Sequence, residues 1–149
     1  MLAGFLDWYR AVVENKVSDL SYENATQIMT PTGLSPLGVV KHLSNVERGW
    51  FRLRFAGENV AIPRDGNIAG FRIDPDDTVG SVLDFYRESV AASRRITDGA
   101  SLDAICASES PTYGRVSLRW ILVHMIEETA RHAGHLDLMR EQIDGRTGD

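Results

Sequence analysis

Four histidines occur in this chain of 149 residues, and the placement of His42, Glu128 and His132 is its strongest chemical signal. Glu128 and His132 stand four residues apart, so on a helix they share a face and form a potential chelating pair. His42 lies in another segment, where Val39, Val46, Trp50 and Leu53 share its helical face and turn it toward an interior. Two neutral imidazoles and one carboxylate satisfy three positions of a divalent transition metal such as zinc or nickel. A fourth position stays open for water or substrate, as in catalytic rather than structural sites. A plainer account also fits, with His42 and His132 as core histidines bonded to carbonyls and Glu128 at the rim. Spacing leaves both open, because it does not show that the two segments meet.

The remaining polar candidates rank lower. His124 precedes Glu128 by one turn and His135 follows His132 by a short one, so together they make a polar column along one helix edge. Either could replace a ligand, but their helical angles fall nearer the polar edge, which favours supporting or surface roles. Glu127 is rotated toward solvent, and Glu47 and Arg48 read as surface ion pairs of little energetic value. Trp50 and Trp120 read as core, and Trp8 and Tyr113 as candidates to border a metal cavity. Cys106 sits in the stretch ICASES with no nearby histidine and reads as packing, not as a nucleophile.

Four amphipathic segments must position these groups. The first helix covers residues 2–17 and breaks at Ser18-Asp19. The second opens with Ser35 as N-cap and Pro36 in the first turn, and runs to a Gly57 C-cap. The third follows the Asp77-Thr78 cap and ends near Asp98-Gly99, with Val79, Val82, Leu83, Tyr86, Val90 and Ile96 facing inward. The fourth starts at Ser117 and ends near Ile143, its stripe of Leu118, Ile121, Met125, His132, Leu136, Met139 and Ile143 centred close to His132. Between the second and third helices, residues 57–77 carry Pro63, Asp65-Gly66, Gly70 and Pro75. A connection this long can travel the length of a helix and lets its two neighbours lie parallel. Residues 99–116 hold a weak helical turn, SLDAI, and a turn from Pro111 to Gly114. The reading is an all-α four-helix bundle with long connections, in one domain spanning residues 1–149.

Composition narrows the function. At 43% hydrophobic and 25% charged the chain is globular, and at this length it needs neither disulfide nor structural metal to hold its core, so a metal would serve function. One cysteine excludes a disulfide framework and fits a reducing cytoplasm. A net charge of −5 argues against nucleic acid as a main partner. No apolar run approaches a membrane span, and Asp7 and Arg10 interrupt what a signal peptide would need.

The segments VSLRWILVHMIEETARHAGHLDLMREQIDG (residues 116–145) and SPLGVVKHLSNVERGWF (residues 35–51) closely resemble the DinB-like superfamily, in particular its short "mini-circle protein" branch. The resemblance covers nearly the whole chain. It implies a four-helix bundle holding a divalent metal through one ligand on the second helix and two on the last, here His42, Glu128 and His132. Where many members have a second histidine, this chain has Glu128, as in the metal-binding domain of mycothiol-dependent maleylpyruvate isomerase. That enzyme has a further C-terminal domain for which this chain has no room. The resemblance further implies a low-molecular-weight thiol as co-substrate, mycothiol first and bacillithiol next. Activated by the metal, it would attack an electrophile in a transferase or thiol-dependent isomerase reaction. Homodimerisation is implied as well, and Phe5, Trp8 and Phe55 are apolar residues that one small bundle need not bury. The competing class is a metal-dependent ligand-binding protein or a dimeric interaction module without turnover, since fold alone assigns no reaction.

Overall fold

Four helices form where the apolar spacing places them, and a short one that the spacing does not announce, Tyr22–Thr26, lies between the first and second. The structure is a computed structural model describing residues 1–63 and 69–148, so the Asp65-Gly66 turn expected in the long connection lies outside the described residues. Helix α1 covers Leu2–Val17, a short α2 covers Tyr22–Thr26, α3 covers Pro36–Glu47, α4 covers Val79–Thr97 and α5 covers Leu118–Asp144. Among the described residues there is no strand, only two isolated antiparallel bridges, Ile105 with Ser117 and Ser110 with Gly114. The fold is an all-α helical bundle of the DinB-like kind.

Helix ends follow cap chemistry. Ser35 accepts from the Gly38 N–H with Pro36 in the first turn, and Ser117 accepts from the Trp120 N–H. Thr78 and Ser81 close a reciprocal capping box at α4. Each such cap contributes about 1 kcal/mol. Gly145 ends α5 with φ of 74°, where a side chain would be strained.

Side-chain pairs fix the topology. Lys41 meets Asp77 and Arg48 stacks over Phe85, so α3 and α4 run parallel, as the long connection between them permits. Lys16 meets Asp137, and Asp19 just beyond α1 meets Arg140, which makes α1 parallel to α5. The pairs Glu14–Arg87 and Asp7–Arg94 set α1 antiparallel to α4. The interior has two adjoining apolar clusters. One joins Val13, Leu37, Val40, Leu43, Leu83 and Leu136, and the other joins Leu6, Phe51, Leu118, Ile121 and Met125. Each fully buried aliphatic side chain contributes roughly 1.5–3 kcal/mol.

Three local expectations change. The second helix ends at Phe55 with Ala56 as its C-cap, one residue before Gly57 at φ of 71°, and beyond Glu47 it widens into a π-helix over Arg48–Phe55, where the Ala56 N–H donates to the Phe51 carbonyl. SLDAI forms turns and one bridge residue rather than helix. Glu47 is no surface residue. It is 1% exposed and accepts from Arg10 of α1 through both carboxylate oxygens, at 2.8 and 2.7 Å. The antiparallel approach of α1 buries that edge of α3, which helical spacing on one helix alone does not reveal.

Candidate metal centre

Helix α3 and its π extension cross α5 in antiparallel sense, so residues late in one face residues early in the other: His42 meets Glu128, and Trp50 meets Trp120. His42 Nε2 lies 3.2 Å and His132 Nε2 3.3 Å from the same oxygen, Oε1 of Glu128. One ligating atom from each of the three residues lies within 4.8 Å of the other two. The three residues that spacing selects are therefore brought together. They stand where the two apolar clusters adjoin, with Met125 on one side and Ala133 and Leu136 on the other.

The surroundings hold these groups in place. Phe71, from the connection before α4, stacks flat on His42 with ring centres 4.0 Å apart and planes 9° from parallel. That connection reaches α3 because Gly38 has no side chain, and a Cβ there would collide with the Phe71 carbonyl oxygen. His135 Nδ1 lies 3.3 Å from His132 Nδ1. Burial and the neighbouring His132 push the His135 imidazole below the usual histidine range, and the Nδ1–Nδ1 contact holds the His132 ring with its Nε2 turned to Glu128.

Electrostatics suit a cation. Hydrogen bonds from His132 and His42 hold the Glu128 carboxyl far below the usual carboxylate range, overriding the opposite effect of its burial. Among the described residues Arg131 is the basic side chain that pairs with the other carboxylate oxygen, at 3.8 Å, which leaves Oε1 to the two imidazoles. A carboxylate with two imidazoles converging on it is a donor set that can hold one first-row divalent ion.

His124 stands outside this set. Its ring stacks on Trp120 with centres 5.0 Å apart and lies 4.9 Å from Trp50, and Tyr113 packs 4.8 Å from Trp120. Burial lowers its pKa, which favours the neutral ring at this aromatic wall. Trp50 and Trp120 are thus more than core filling, and Tyr113 packs on this aromatic cluster without lining the cavity beside His42. Trp8 does not line it either, because it sits half-exposed on α1 in a separate groove with Met1, Phe5 and Tyr9. The cavity beside His42 has a volume of about 170 Å³ and is lined by Val46, Trp50, Arg54 and Gly70. The sequence reading missed Phe71 and Arg54. The first lies in an irregular stretch without periodicity, and the second in π-helix, whose register differs from the helical angles used.

No curated protein matches the chain. A family model described as mycothiol-S-transferase matches residues 1–145, a span that contains every helix of the bundle and all three converging side chains. On that match the chain belongs to the mycothiol-S-transferase family, a DinB-like family.

Proposed function

We propose that the chain transfers the sulfur of mycothiol to a small electrophile, with His42, Glu128 and His132 holding one divalent cation, zinc or nickel. The observation that carries this reading is the convergence of two imidazole nitrogens and a carboxylate oxygen within 4.8 Å in a member of this family. A bound cation supplies one thing, a lowered pKa for a coordinated thiol, so that sulfur is present as thiolate at neutral pH.

The chain's own residues do the rest. Glu128 brings the negative charge, while Phe71 and His135 fix the two rings. Trp50 lines the cavity beside His42 and is backed by Trp120 and Tyr113, which gives the electrophile an apolar surface to rest on. A carbon–sulfur bond forms as the leaving group departs with the bonding pair, and the thiol proton passes to solvent. The sulfur comes from the small thiol because Cys106 is buried, its Sγ facing the Ser108 carbonyl at 3.1 Å and accepting from the Val116 N–H at 3.2 Å. A reducing cytoplasm and a single domain belong to the same proposal. Among the described residues no helix is long and apolar enough to cross a membrane.

We also propose a homodimer, supported by Phe5 and Trp8, which are 58% and 50% exposed on one face of α1. Sedimentation at micromolar concentration should show twice the 16.6 kDa chain mass, and a monomer alone would end that part of the reading.

The transferase test is turnover of chlorobimane by metal-loaded protein, saturable in mycothiol. Absence of both thiol binding and turnover returns the chain to a ligand-binding or interaction role. Saturable thiol binding without turnover leaves the thiol site and discards only this electrophile.

A further inference from the structure

Most guanidinium groups of this protein meet carboxylates, as in Arg10–Glu47, Arg52–Glu58, Arg87–Glu14, Arg119–Asp103 and Arg140–Asp19. Arg54 is half-buried and enters no ion pair among the described residues. Among those residues it makes a single hydrogen bond, to the Gly49 carbonyl at 3.2 Å, and its buried Nε meets no partner. The guanidinium carbon lies 4.8 Å from the centre of the Trp50 ring, which leaves much of the fork available. Burial pulls its pKa below the usual arginine value, as expected for a cation that has lost water without gaining a counter-ion. A cation in that state stabilises an incoming anion strongly, and a planar fork matches a carboxylate better than any other common group.

The position of Arg54 makes this a matter of substrate choice. It lines the same cavity as His42, with Trp50 between them on one helical surface. The cavity of about 170 Å³ has room for a molecule displacing about five waters. We propose that Arg54 binds a carboxylate of the electrophile, so that small anionic acids are preferred to neutral electrophiles as co-substrates. The electrophile rests on the transferase reading above, whereas the anion site rests on Arg54 itself.

Two isosteric pairs separate these layers. With metal-loaded protein, calorimetry should show saturable binding of isobutyrate and far weaker binding of isobutyramide. Arg54→Met, which keeps an unbranched apolar side chain and removes the guanidinium, should weaken isobutyrate binding by about tenfold or more. Arg54→Lys should retain part of the affinity, and it stands in if the Met variant does not fold. Equal isobutyrate binding in wild type and variants would place the acid elsewhere and overturn the proposal.

In turnover with mycothiol, sulfur displaces iodide from iodoacetate or iodoacetamide. The C–I pair leaves with iodide and the thiol proton goes to solvent. The kcat/KM ratio of acid to amide, corrected for their uncatalysed rates, should exceed unity. It should fall about ten- to a hundredfold in Arg54→Met, chiefly through KM. A wild-type preference for the amide overturns the anion site and leaves sulfur transfer standing. Arg54-dependent isobutyrate binding without saturable mycothiol binding and without transfer to either reagent supports the anion site and removes the transferase reading.

Discussion

Nε2 of His42 and Oε1 of Glu128 lie 3.2 Å apart although 86 positions separate them in the chain. That contact exists because α3 crosses α5 in antiparallel sense, and it joins His42 of α3 to the pair Glu128 and His132 on α5. Without a cation the carboxylate is the hydrogen-bond partner of both imidazoles. With one, all three would turn the same atoms to a shared point, so binding requires little rearrangement of the fold.

One divalent ion per chain is therefore expected by elemental analysis, and His132→Ala should lose it. Wild-type metal content in that variant would remove the proposed site. Binding to the folded state alone should also raise the melting temperature. At a free metal concentration a hundred times Kd the gain is about 2.7 kcal/mol. A chelator should reverse it, and Glu128→Gln should show little of it. His135→Ala should keep the ion but weaken affinity about 10- to 100-fold, since the partner of His132 Nδ1 is gone.

Gly38 gives a test of the route by which the connection supports the site. Adding a methyl group there drives it into the Phe71 backbone, which cannot yield as a flexible side chain would. Gly38→Ala should cost about 1–3 kcal/mol in denaturant unfolding and also weaken metal binding, because Phe71 is the ring stacked on His42. Unchanged stability together with unchanged metal affinity would show that the connection does not hold His42.

Much of this was legible in residues whose pattern is local. Ser35-Pro36, Thr78 and Ser117 mark helix starts, and Glu128 and His132 share a face at any register close to α-helical. What escaped depends on neighbours distant in the chain. Glu47 looks solvent-facing until Arg10 approaches from α1. Arg54 and Trp50 share a cavity wall in a π-helical segment, whose hydrogen-bond register no apolar spacing announces. Phe71 sits in a stretch with no periodicity and gains its place from the absence of a side chain at Gly38.

Acid should destabilise the chelator-treated protein in two steps. Burial lowers the pKa of His124 and His135, so below about 6.5 the unfolded chain binds protons more readily, and stability falls as pH drops toward the folded values. The second step begins near the ordinary carboxylate range, about 3.9. Asp19 and Asp144 are held low by hydrogen bonds from Arg140. Asp7 is held low by Arg10 and Arg94 against the opposing effect of its burial. Their contribution is present above that range and lost as pH falls through the depressed values. Urea unfolding between pH 8 and 2.5 should trace both declines, and stability that rises from pH 7 to 5 would contradict the assignment of the two histidines.

The pair Arg10–Glu47 ties α1 to the last α-helical turn before the π segment that carries Trp50 and Arg54. Glu47 is almost fully buried and Arg10 nearly so, and Tyr86, whose hydroxyl has no hydrogen-bond partner among the described residues, is buried close enough for their charges to act on its ionisation. Glu47→Ala leaves a guanidinium in the interior with only Asp7 as partner, so it should cost about 3–5 kcal/mol in denaturant unfolding. Replacing both members together, Arg10→Met with Glu47→Leu, removes the stranded charge and should recover most of that loss. A double variant as unstable as Glu47→Ala alone would mean that the pair stabilises the bundle outright. Recovery of stability with a weakened Arg54-dependent response to isobutyrate would instead assign the ion pair to orienting the π segment. The calorimetric comparison of wild type with the double variant distinguishes these outcomes.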